Sequence, residues 1–177
     1  MAINLKEVVA GIPGSGDMFL HVQAKKAGKI KGEAVQPGHV DDILVRGWRW
    51  AVKQSSAMGH TVATSRRSYS LLTVHKSIDL ATTGLMSVLV NNDEIKEARL
   101  SMRKAGGTQE EYFVIVLEGA RICSVSHEAA ADGSVLETIE IGFNTVSVEY
   151  RPQKGTGVRG GATSFTDSLG PSYPAEG

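Results

Sequence analysis

The chain has 177 residues, enough for a single domain with one core that buries about 70% of the unfolded surface. Its 19 Lys and Arg balance 19 Asp and Glu, so no global basic field draws nucleic acid or anionic lipid, and neutrality removes one barrier to self-association. The one cysteine, Cys123, excludes an internal disulfide framework, and its apolar setting in "ARICSVS" predicts a buried, unreactive thiol.

The opening residues "MAINLKEVVAGIPGSG" place Lys6 and Glu7 where a Sec signal needs an unbroken apolar run, so a cleaved signal peptide is not expected. No window approaches the roughly 18 apolar residues of a membrane span, and the reading is a soluble chain with no membrane insertion. Met18, Leu20 and Val22 form one face of a short strand, with Phe19, His21 and Gln23 on the other. A charged, glycine-containing connection follows. In "ILVRGWRWAVKQS" Leu44, Trp48, Trp50 and Val52 share one parity, while Ile43, Val45, Arg49, Ala51 and Lys53 share the other. Residues 54–68 read as a long loop before the strand "SYSLLTVHK".

One segment breaks the β pattern. In "ATTGLMSVLVNNDE", Leu85, Val88 and Leu89 stand at helical spacing, with Thr82 or Thr83 as candidate N-cap and Asn91-Asn92 as the stop. Then comes "RLSMRKAGGTQEEYFVIVLEG". A phosphate loop would need a Lys followed by Ser or Thr and a helix after its glycines, and Gly106-Gly107 lead instead into a β-branched, aromatic run. The glycines therefore read as the bend of a hairpin, whose left arm alternates Leu100, Met102 and Lys104 with a wet face of Arg99, Ser101 and Arg103. After "LEGARICSVSHE" and the turn "AADGS", the last strand, "VLETIEIGFNTVSVEYRPQ", changes its apolar parity at Gly142 to Asn144, which predicts a bulge or bend. From Lys154 the chain is Gly/Ser/Thr/Pro-rich without periodicity and is expected to be flexible. Seven or so mostly antiparallel strands and one short α-helix predict a mainly β fold, a closed β-barrel in preference to a sandwich.

Chemistry is sparse in this pattern. His21, His39, His60, His75 and His127 show no metal-ligand spacing, so no metal is expected. Asp41-Asp42, Asp93-Glu94 and Glu110-Glu111 fall at turns or strand starts, where solvated loop ends are the simplest reading. No serine or threonine occupies a nucleophile elbow. The basic runs Ser65-Arg66-Arg67-Ser68 and Lys25-Lys26 with Lys29 and Lys31 read as solvated loops, so no nucleic acid is expected as a partner. No catalytic residue and no cofactor are predicted. The residues describe a structural or binding module, not an enzyme.

Taken in order, "GWRWAVKQSSAMG", "HKSIDLATTGLMSVL", "ARLSMRKAGGTQEEYFVIVLEGARICSVSH" and "ETIEIGFNTVSVEYRPQ" resemble the Hcp family, the hemolysin-coregulated proteins of the type VI secretion inner tube. The most specific pieces are Trp48 and Trp50, the run Arg103 to Gly107, and Val148 to Lys154, and the likeness covers about Asp17 to Lys154. It divides the chain into an N-terminal extension 1–16, an Hcp-like β-barrel domain 17–154 and a C-terminal tail 155–177. It implies hexameric rings that stack into an exported tube, with the spike protein, sheath proteins and small effectors as partners. The protein would be cytoplasmic and then secreted by the type VI system without a cleaved signal peptide. Trp48 and Trp50 would occupy the barrel core, and Arg49 between them would turn toward the channel and contact acidic effectors. A phage-type tail-tube protein or a monomeric ligand-binding β-barrel would share the strand-rich, neutral character.

Overall fold

The computed structural model describes residues 17–55, 66–104, 110–152 and 161–170. Among these, twelve strands and one helix follow in the order β1 (Met18–Ala24), β2 (Gly28–Lys29), β3 (Ile43–Leu44), β4 (Gly47–Arg49), β5 (Val52–Ser55), β6 (Arg66–Tyr69), β7 (Leu72–Ser77), α1 (Ala81–Val90), β8 (Ile95–Arg103), β9 (Glu111–Ala129), β10 (Val135–Gly142), β11 (Thr145–Tyr150) and β12 (Thr163–Ser168). Every pairing is antiparallel. The main sheet runs β2-β1-β8-β9-β10-β7-β4, with β3 on β1, β11 on β9 and β12 on β11, while β5 and β6 form a separate ribbon. Bent around one core, the strands make a β-barrel that carries α1.

The spine is β9. Its first half pairs with β8 from Ile95↔Ala120 to Arg103↔Glu111, and β10 and then β11 run back along its length. The predicted change of parity at Gly142 to Asn144 is the break between β10 and β11. Opposite it, Gly119 takes φ +55°, and a Cβ there would meet the Asn144 side chain at 2.9 Å, so only glycine fits the bend. The hairpin arms β8 and β9 are as predicted; the Gly106-Gly107 bend lies outside the described residues. Leu20, Val22, Leu72, Val74, Leu85, Val88, Leu100, Ile115, Leu117, Ile139, Ile141 and Val146 share the core. Helix α1 buries Leu85 and Val88 against β9, the face its spacing predicts, and ends at Asn91, whose N–H donates to Ser87 O. Neither threonine caps its start. The N-cap is Leu80, and Asp79 serves the end instead, its carboxylate accepting from Ala81 N–H at 2.9 Å while Thr82 is buried in the first turn.

Several expectations are corrected. Residues 43–53 are not one strand: Val45 N–H donates to Met18 O on β1, but Arg46 N–H donates to His75 O on β7, so the chain changes partner strand and its parity with it. Ile43 and Val45 are therefore buried and Leu44 exposed. The expected loop 54–68 supplies ends of the β5–β6 ribbon, paired from Val52↔Tyr69 to Ser55↔Arg66, and the strand expected over 68–76 is broken at Ser70-Leu71. The tail 155–177 is not all flexible, because residues 163–168 form β12, which pairs with β11 over its whole length from Thr145↔Ser168 to Tyr150↔Thr163. Arg67 is tied to that strand by an ion pair with Asp167. Cys123 is exposed, since it stands on the outward parity of β9. The supposed wet face of β8 is covered at Ser101 and Arg103, because residues 31–42 fold over it.

Candidate functional site

Strand register fixes one polar outer face. Across β4, β7, β10 and β9 the rows are Arg49↔Thr73↔Glu140↔Ser124 and Gly47↔His75↔Thr138↔Ser126. Residues directly opposite share a face, so Arg49, Thr73, His75, Thr138, Glu140, Ser124 and Ser126 stand together, with Ser77 one step on. The reverse face carries the buried Leu72, Val74, Ile139 and Ile141. Arg49 is exposed. His75 Nδ1 lies 3.0 Å from Thr138 Oγ1, and Arg46 Nη1 lies 3.5 Å from Ser77 Oγ. Burial, and then the charge of Arg49, pull His75 below the ordinary imidazole value.

Trp48 and Trp50 both lean on the core but at its rim, each half-buried. Trp48 stacks on Phe113 with centroids 6.1 Å apart, and Trp50 stacks on Tyr69 at 5.6 Å with Phe143 tilted beside it at 6.3 Å. Trp50 Nε1 is buried without a partner among the described residues. The aromatic cluster thus seals the barrel where β4 runs into the β5–β6 ribbon.

Two charge networks escaped the sequence reading. The first pins residues 31–42 over the outer face of β1 and β8. Asp42 receives His21 Nδ1 at 3.1 Å, Lys29 Nζ at 3.0 Å and His39 Nδ1 at 3.1 Å. The other nitrogen of His39 faces Glu111 Oε1 at 3.3 Å, and Glu111 is also held by Arg99 at 2.5 Å. The His39 ring lies flat on Phe19 at 4.0 Å, with the Arg103 guanidinium 4.8 Å from the Phe19 centroid. Burial alone would raise the Asp42 carboxyl, but hydrogen bonds from Lys29, His21 and His39 hold it below the ordinary carboxylate range. A Cβ at Gly32 would come within 2.3 Å of Asp42 O, so the segment closes only with glycine there. A cleft of about 490 Å³ remains beside this network, lined by Pro37, Gly38, Glu97 and the charged residues just named except Lys29. Asp42 and Glu111 are thus not solvated loop ends, and neither is Asp93, which accepts the Lys26 and Ala27 N–H groups. One signal was available: Phe19 shares a parity with His21 and Gln23, which marks that face as covered at one end.

The second network is inside the barrel. Lys76 and Glu137 are directly opposite on β7 and β10, both 0% exposed, with Nζ 2.6 Å from Oε1. Lys76 also reaches Asp79 at 2.6 Å and Thr82 Oγ1 at 3.2 Å, and His127 Nε2 lies 2.7 Å from the second Glu137 oxygen. Burial would raise the Glu137 carboxyl; the bonds from Lys76 and His127 outweigh it and hold it low. This signal was legible, since Lys76 has the parity of Leu72 and Val74, and Glu137 that of Ile139 and Ile141. His60 lies outside the described residues. No group of three or more His, Cys, Asp or Glu among the described residues could hold a metal ion.

A barrel with one helix, charged seams and a polar outer face has known counterparts. The family model described as "Type VI secretion system effector, Hcp" matches residues 19–150. The chain belongs to the Hcp family. It is 33% identical over 149 residues to "Protein hcp1" of Pseudomonas aeruginosa, a match covering 82% of this chain and 89% of that one. Over 96 residues it is 27% identical to the "Major exported protein" of the same organism, covering 53% and 56% of the two chains. Hcp1 from Salmonella typhimurium superposes with a TM-score of 0.69 at 28% identity, covering 88% of this chain and 95% of that one. The Hcp family is one of type VI secretion proteins, structural and exported in kind. The family model itself ends at Tyr150, ahead of β12.

Proposed function

We propose that this Hcp-family chain builds the inner tube of a type VI secretion system: six copies close into a ring, rings stack, and the tube leaves the cell with small effectors inside. The observation that carries the reading is the family match across residues 19–150, which spans the barrel from β1 to β11. The protein acts by assembly and not by catalysis. Its partners are further copies of itself, the spike protein at the tip, the sheath proteins outside and the effectors within; it is cytoplasmic until fired and needs no cleaved signal. The barrel domain takes in 17–154, extended by β12, with 1–16 ahead of it.

Arg49 is the proposed effector contact on the channel wall. Its exposure, on a sheet face otherwise made of hydroxyls, an imidazole and a carboxylate, suits a wet lumen better than a packed subunit joint. Light scattering on the purified protein at tens of micromolar tests the assembly. A mass six times the 18.8 kDa of the chain is expected, and a monomer would overturn the ring.

A further inference from the structure

Arg46, His75 and Arg49 form a row where β4 meets β7. Gly47 pairs with His75 and Arg49 with Thr73, while the Arg46 guanidinium lies 3.5 Å from Ser77 Oγ, the next outward residue after His75. At about 3.4 Å per residue the two arginine backbones are roughly 10 Å apart, with the imidazole between them. Since β4 is the last strand of its sheet path, the row stands at an edge. Neither arginine pairs with a carboxylate among the described residues, although many other charges in this neutral chain do. The other elements on this face contribute Leu136, Thr138 and Glu140 from β10 and Ser124, Ser126 and Glu128 from β9, so Glu140 beside Thr73 and Glu128 in the row of Ser77 are its acids. Lys76 and Glu137 face the opposite way, into the core.

We propose that this row is a docking surface for an acidic segment of a cargo protein, and that His75 makes the grip tighten as the pH falls. The proposal rests on the tube reading in one respect, that this face is turned to the channel. Two unpaired guanidiniums offer planar, charge-assisted donors that match carboxylates about 7–10 Å apart, the spacing of alternate or third residues in an extended chain. His75 is the tuning element. Thr138 engages Nδ1, which leaves Nε2 free to donate to a third carboxylate once the ring is protonated. Burial and the charge of Arg49 keep the ring neutral near pH 7.5. It takes up a proton only as the pH falls through that lowered value, and a docked carboxylate, by pairing with it, favours the uptake. Cargo carboxylates stay ionised down to about pH 4.5, so the row gains a third cation while its ligand keeps its charge.

The probe is a fluorescein-labelled peptide of alternating Asp and Gly, titrated with the full-length protein at pH 7.5 and 5.5 and read by anisotropy, with a Lys-Gly peptide as control. The acidic peptide should bind several-fold tighter at pH 5.5, and the Lys-Gly peptide should not bind. Arg46→Ser and Arg49→Ser should each weaken binding about tenfold, and His75→Gln should bring the ratio of the two affinities near one. Equal binding by the wild type and the double arginine variant, or an undiminished pH gain in His75→Gln, overturns the proposal. Light scattering on the same samples keeps the two readings apart. Rings that ignore the acidic peptide refute the row alone, whereas a wild type that is monomeric refutes the tube. Rings lost only in the arginine variants would make the row a subunit joint and overturn the docking role.

Discussion

Lys76→Met tests whether the buried network holds α1 and the β7–β10 pair together. Lys76 and Glu137 are fully buried and 2.6 Å apart, and Asp79 at the start of the helix depends on the same ammonium. Removing the lysine leaves two carboxylates in the interior with only His127, Ala81 N–H and the Thr82 hydroxyl near them. Breaking one partner of a buried pair costs about 3–5 kcal/mol, because the surviving charge is uncompensated. At about 2–4 °C per kcal/mol for a chain of this size, the melting temperature should fall by roughly 6–20 °C. The sign of the pH dependence follows from Glu137. In the wild type its carboxyl is held low, so its contribution is present above the unfolded carboxylate value and lost as pH falls through the folded one. In Lys76→Met, burial wins and the carboxyl moves up, so the variant's deficit is largest at neutral pH and narrows toward pH 4–5 as Glu137 takes a proton. Urea unfolding at pH 7.5 and 5.0 measures both effects. The double variant Lys76→Met/Glu137→Leu should recover part of the loss, since an apolar pair replaces the Lys76–Glu137 ions while Asp79 stays without its partner. A single variant within 1 kcal/mol of the wild type, or a double variant worse than the sum of the singles, would refute this account.

Gly119→Ala should cost about 1–3 kcal/mol in urea unfolding, from φ +55° and the 2.9 Å approach to Asn144; Gly133→Ala, at φ +83° in open space, should cost only the backbone part, and equal losses would show that Asn144 yields. Asp167→Asn should speed amide exchange over residues 163–168 while leaving the global melt unchanged, because its carboxyl, held low by Arg67 and Tyr69, joins β12 to β6. In the wild type that protection should persist at neutral pH and fade as pH drops through the depressed carboxyl value; exchange that ignores both the substitution and acid would show that the ladder to β11 alone holds β12.

Much of the barrel was legible, because alternation reports burial wherever a strand keeps one partner and one covered face. The helix, the β8–β9 hairpin arms and the bend at Gly142 to Asn144 fall in that class. What failed depends on contacts far apart in sequence. The hand-over from β1 to β7 between Val45 and Arg46 follows from which strands lie alongside, which local pattern does not carry. The burial of Ser101 and Arg103 depends on residues 31–42 folding across them. The last strand reads as a polar, hydroxyl-rich stretch because its order comes from the ladder to Thr145–Tyr150 and the Asp167 anchor, with little apolar burial of its own. The proposed site stood between these cases: Arg49 and the two tryptophans were visible, but joining Arg46 and His75 to Arg49 required the register of β4 on β7.

The strand Thr163–Ser168 has a practical consequence for anyone trimming the chain to its recognisable family portion. Cut after Pro152, the protein would keep every residue that the family model spans and lose the segment that occupies the six backbone positions alongside Thr145–Tyr150. A finished border would become an open template, with Val148 and the exposed Tyr150 beside unpaired amides and carbonyls, the arrangement that recruits stray strands from other molecules. The shorter protein would fold and then associate through that open edge, and a tag fused at that point would sit where the ladder has to form.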